Sequence, residues 1–172
     1  MNRLRHHKFA VSLFAFLLAI TATAADKSVN VLVTSASQSI VQVALENGVS
    51  PEDAVHAMIV KAAKLRLDFI GRQRIYKRLQ TGGDTVRPRL EIFQFCNLDD
   101  AHNLVAEELV FAAFMPCRIA MVEDSNHTIW LMTLNLDMVI DQQMLPPKLA
   151  ELAIGLNQDM MKVLVAGATG NS

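Results

Sequence analysis

From residue 39 onward the apolar residues of this chain switch repeatedly between a spacing of two and a spacing of three to four. That alternation of strand and helix signals restricts the fold more than any other feature. Ser39 to Leu45 holds the β-branched Ile40, Val41 and Val43 and reads as a strand ended by the Asn47-Gly48 turn signal. Ser50 is a natural N-cap, Pro51 suits the first helical position, and Glu52 and Asp53 favour the positive end of a helix dipole. Ala54, Val55, Met58, Ile59, Ala62 and Leu65 then form one buried stripe. Phe69 to Leu79 and Arg89 to Phe95 read as two strands about a Gly82-Gly83-Asp84 turn, with Leu90, Ile92 and Gln94 on one face and Glu91, Phe93 and Phe95 on the other. Asn97 can cap a short helix that turns Leu104, Val105, Leu109 and Val110 inward and stops at Pro116. Strands Cys117 to Val122 and Thr128 to Leu134 follow around a polar turn, and a long helix opens at Pro147. Its stripe is Leu149, Leu152, Ala153, Leu156, Met160, Val163 and Leu164, with residues 167 to 172 expected to fray.

Strand, helix, two strands, short helix, two strands, long helix describes an α+β domain: an antiparallel sheet with helices on one face and a short extra helix between the third and fourth strands. No repeat or long linker divides residues 38 to 166, so a single domain is expected there, preceded by a polar arm over 25 to 37.

Residues 1 to 24 carry an export signal pattern. Arg3, Arg5 and Lys8 precede an uncharged apolar run from Phe9 to Ile20, and Ala22-Thr23-Ala24 supplies the small residues of a cleavage site before Ala25. The run has 12 residues, too few to span a bilayer, which needs about 20 in a helix. Cleavage would leave 148 of 172 residues, and with three of 16 basic residues gone, 13 Lys and Arg would face 17 Asp and Glu, a formal charge of −4. That balance argues against a nucleic-acid partner. The mature protein is expected in the periplasm or secreted, without a transmembrane segment.

Several residues between Leu90 and Leu134 carry more than periodicity: Phe95-Cys96-Asn97 at a strand end, Ala101 in the short helix, Met115-Pro116-Cys117-Arg118 at the next strand entry, and Glu123-Asp124 in the hairpin. This pattern resembles the domain-of-unknown-function 302 family, whose members show a Cys-Asn pair after one strand and a Leu-Pro-Cys triplet before the next. Met115 stands where the family has leucine, and Leu98 where it often has proline. The resemblance implies a small α+β domain in β-α-β4-α order, commonly a dimer, with no established activity. Relatives without an export signal keep both cysteines, so the pair need not have arisen as a secretory disulfide.

No nucleophile elbow, Walker loop, dinucleotide fingerprint, H-E-x-x-H or C-x-x-C appears. His56 and His127 read as solvated. Nine basic residues, Lys61, Lys64, Arg66, Arg72, Arg74, Lys77, Arg78, Arg87 and Arg89, fall within 29 positions against only Asp68 and Asp84. The ordinary reading is a solvated strand pair. The functional one is an anion-binding strip of Arg72, Arg74, Arg78, Arg87 and Arg89.

Cys96 and Cys117 admit three readings. If their strands are antiparallel neighbours, both lie at one end of the sheet, and a bridge closing a loop of about 20 residues would add roughly 3 kcal/mol. Export favours this reading slightly over two buried inert thiols. A redox or soft-metal site, with His102 and Met115 converging on the pair, is the third. The expectation drawn from all this is a binding or interaction domain without catalytic machinery. It should be dimeric through its sheet, because Ile129 and Leu131 alternate with Trp130, Met132 and Leu134 while helices can cover only one face. Its partners would be a second copy and a small-molecule or anionic ligand. The alternative is a thiol redox or soft-metal-binding protein using Cys96 and Cys117.

Overall fold

A computed structural model describes residues 39–79, 88–142 and 145–172. The expected leader, N-terminal arm and Gly82-Gly83-Asp84 turn, and Arg87, lie outside the described residues. Five strands form one sheet in the order β1-β5-β4-β3-β2: β1 (Ile40–Ala44), β2 (Asp68–Arg74), β3 (Leu90–Cys96), β4 (Cys117–Glu123) and β5 (Ile129–Leu134). Every neighbouring pair is antiparallel, so β2 to β5 make a meander and β1 joins at the β5 edge. The helices are α1 (Pro51–Lys64), α2 (Ile75–Leu79), α3 (Leu98–Glu107), α4 (Asp137–Gln142) and α5 (Pro147–Thr169). The α+β fold is the one the periodicity implies.

Local chemistry starts the two main capped helices where the sequence places them. Ser50 and Asp53 close a capping box: Asp53 N–H donates to Ser50 Oγ at 3.1 Å, and Ser50 N–H donates to Asp53 Oδ2 at 3.3 Å. Asn97 accepts from the Asp100 N–H at 3.2 Å and caps α3. The stripe of α1 and the stripe of α5 pack on Phe93, Phe95, Ile119, Met121 and Leu131, which project from alternate positions of the three central strands. Met58, Met121 and Met160 are all buried in this core.

Three expectations need correction. The strand expected from Phe69 to Leu79 ends at Arg74, the last residue of β2 with a partner on β3, and Ile75–Leu79 turns helical. From Ile75 on the backbone leaves the β3 ladder, where Leu90 is paired with β4 alone, and turns to the local hydrogen bonds of a helix. Leu109 and Val110 do not face inward: Leu109 is 80% exposed and Phe111 is buried instead. Here α3 gives way at the extended residue Glu108 to a 3-10 segment, Leu109–Phe114, whose three residues per turn shift the phase of the apolar stripe.

The third correction concerns the C-terminus. Residues 167 to 169 are helical rather than frayed, Ala168 accepts a hydrogen bond from the Glu46 N–H at 2.9 Å, and Gly170 (φ 69°) closes α5 in the left-handed region. Gly167 explains this tight seat. A Cβ there would lie 2.6 Å from Met58 Cγ and 2.8 Å from Leu131 Cδ1, so its absence lets α5 approach both α1 and the sheet.

Candidate functional site

With α1 and α5 on one face, the strand register defines the other. Cross-strand pairs Ile40↔Leu134, Gln42↔Met132, Ala120↔Met132, Ile92↔Ala120, Gln94↔Arg118 and Gln73↔Ile92 all belong to that open face. At the end where β4 begins and β5 finishes lies a cavity of about 350 Å³. Ile40, Ile92, Ala120, Met132 and Leu134 form its sheet wall and Phe114 closes it from the 3-10 segment. Gln73, Gln94 and Arg118 bring polar groups to it from β2, β3 and β4, and Cys117, Asn157 and Met160 reach it from the covered side.

Asn157 is part of a satisfied polar network rather than a vacant donor. Its Nδ2 donates to Asn135 Oδ1 at 3.0 Å and to Asp137 Oδ1 at 2.8 Å, and its Oδ1 accepts from the Leu136 N–H at 3.2 Å. The network ties α5 to the end of β5 and holds that side of the cavity rigid. On the opposite end of the same face, Asp124 organises the β4–β5 hairpin: it accepts from the N–H groups of Asn126 and Thr128 and from Trp130 Nε1 at 2.9 Å. The Trp130 hydrogen bond, first among these, lowers the Asp124 pKa.

The cysteines fall at one end of the sheet, since β3 and β4 are antiparallel neighbours with Phe95 opposite Cys117. Both are buried free thiols. Because Phe95 rather than Cys96 faces Cys117, strand alternation directs the two side chains to opposite sides of the sheet. Cys96 Sγ donates to its neighbour's carbonyl, Asn97 O, at 3.6 Å. Burial pushes the Cys117 thiol up to about 11, with Cys96 adding to the rise, and burial followed by Asp68 and Asp100 also raises Cys96. His102 is exposed on α3 and Met115 is half-buried against the core. Among the described residues, no three His, Cys, Asp or Glu side chains are placed to hold a metal ion.

The basic residues divide by position. Arg72 and Arg74 lie opposite Phe93 and Glu91 on the helix-covered face, Arg78 belongs to α2, and Arg89 precedes β3. Glu91, which periodicity grouped with Phe93 and Phe95, is fully buried with them. Arg72 Nε donates to its Oε2 at 2.5 Å, and an Arg89 guanidinium nitrogen donates to its Oε1 at 2.6 Å. Glu52 on α1 accepts from both arginines at 3.1 to 3.3 Å, and its pKa is lowered, first by the hydrogen bond from Arg72. Arg74 Nε is 3.8 Å from Glu91. Two members of the basic segment thus neutralise a carboxylate inside the fold. A charge on the same strand face as two apolar phenylalanines, preceded in the chain by Arg87 and Arg89, is the sequence signal for this cluster. Arg118 was legible only as a neighbour of Cys117, and its place on the cavity wall required the register.

No helix among the described residues is long and apolar enough to cross a membrane. Comparison with curated proteins finds no match. Among solved structures, an uncharacterized conserved DUF302 protein from Bacillus stearothermophilus is similar, with a TM-score of 0.60 and 18% identity over 74% of this chain and 96% of that one. At that identity the likeness concerns the fold. The family model for "Domain of unknown function DUF302" matches residues 20–167, most of the chain and all five strands, and the chain therefore belongs to the DUF302 family.

Proposed function

We propose that this protein is an exported, non-catalytic binding domain that acts as a dimer, with the cavity at the end of its open sheet face as the ligand site. The cavity carries the reading. Small-molecule sites are concave and mostly apolar with a few placed polar groups, and they run from about 300 to 1,000 Å³. A space of about 350 Å³ walled by Ile92, Ala120 and Met132 and edged by Gln73, Gln94 and Arg118 has that character. Export rests on the pattern of residues 1 to 24. Dimerisation rests on the open face away from the cavity, where Leu90, Val122 and Trp130 stand side by side only half-buried and a second copy would cover them.

The thiol redox reading has less support, because the thiolate is the reactive form and burial disfavours it at Cys117. Native mass spectrometry and light scattering on the mature protein, purified without added ligand, test the proposal. The expected result is a dimer that retains a small molecule. A monomer at micromolar concentration with nothing retained overturns it.

A further inference from the structure

We propose that the cavity takes an apolar monocarboxylate, with Arg118 pairing with the carboxylate and the tail lying along Ile92, Ala120 and Met132. The proposal rests on the reading of the cavity as a ligand site and names the class of molecule that fills it.

The inference starts from how the arginines are used. Arg72, Arg74 and Arg89 all turn toward Glu91, and Glu52 also accepts from Arg72 Nη1 and Nη2 and shares Arg89 Nη1 with Glu91. Arg118 stands apart from that cluster. Its register partner on β3 is the neutral Gln94, and it is two residues from Ala120 on the same strand face. No carboxylate of the described residues forms an ion pair with it. It is an exposed cation set against an apolar wall.

That setting selects one kind of occupant. A guanidinium offers a planar fork that matches a carboxylate with two parallel hydrogen bonds. Gln73 and Gln94 lie on the same wall as amide donors for a remaining oxygen lone pair. A single cation suits a monoanion; among the described residues no second positive group lines the cavity to balance a phosphate dianion. Most of the rest of the wall is aliphatic, thioether or aromatic, so an apolar tail gains by leaving water there. An alcohol of the same tail would gain the burial and lose the pairing.

Calorimetric titration of the mature protein with decanoate, decanol and decyltrimethylammonium, each below its aggregation threshold, reads this directly. Decanoate is expected to bind about tenfold or more tightly than decanol, with the ammonium weakest. Arg118→Gln should reduce decanoate binding to the decanol level and leave decanol unchanged. Ala120→Trp should abolish binding of both, and Gln94→Trp, on the adjacent strand, replaces it if that variant does not fold. Equal affinity for decanoate and decanol, or undiminished decanoate binding by Arg118→Gln, overturns the carboxylate assignment while leaving the cavity as a site. Absence of binding by every probe, or unchanged binding after the cavity is filled, overturns the proposal together with the site it rests on.

Discussion

Replacing Glu91 with glutamine should be among the most damaging single substitutions that preserve side-chain shape. The carboxylate is fully buried between Arg72 and Arg89, with one oxygen on each guanidinium. Glutamine removes the charge and sets an amide N–H₂ against one of two guanidinium donors, so at least one donor loses its acceptor. Breaking a buried ion pair by removing one partner typically costs about 3–5 kcal/mol. Here the value belongs near the lower end, about 3 kcal/mol, because Arg72 and Arg89 retain 12% and 21% side-chain exposure and keep Glu52 as a partner. Glu52 is 65% exposed, and Glu52→Gln should cost under about 1 kcal/mol. Urea unfolding followed through Trp130, the single tryptophan, measures both variants. With an m-value of about 1.5 kcal/mol/M, Glu91→Gln should lower the midpoint by about 2 M. A loss below about 1 kcal/mol, or an equal loss from Glu52→Gln, would refute the view that this carboxylate anchors β2 and β3 beneath α1.

Gly167→Ala should cost about 1–3 kcal/mol by forcing Met58 and Leu131 aside, whereas Gly155→Ala, whose added Cβ meets nothing within 4 Å, should gain up to about 1 kcal/mol; parallel thermal melts compare them. Asp124 has a folded pKa below its ordinary 3.8, so its contribution is fully present above that pH and is lost as pH falls through the lowered value. Trp130 emission should accordingly stay level from pH 7 to about 4 and change only in more acid solution, a change that Asp124→Asn should remove. Thiol titration of the unfolded, non-reduced mature protein should give two thiols, and zero would establish a bridge between Cys96 and Cys117. In the native reduced state Cys117, with its thiol near 11, should be only about 0.1% thiolate at pH 8 and alkylate far more slowly than a free cysteine.

The sequence alone determined those parts of the protein whose causes are local. Ser50-Pro51 and Asn97 start helices because their partners lie within three residues, and the period of two from Leu90 to Phe95 correctly separated two strand faces. The Cys-Asn and Pro-Cys anchors pointed to the family for the same reason, each being a short run at a strand end. Tertiary structure decided what depends on a distant partner. The position of β1 beside β5, the end of β2 at Arg74 opposite Glu91, and the seating of Gly167 on Met58 are settled by pairings far apart in the chain. The charges divide in the same way. Composition showed a run of arginines, but only the register sends Arg72 inward to Glu91 and leaves Arg118 on the cavity wall, because a strand's neighbours, not its own residues, determine whether a charge meets a carboxylate or an apolar face.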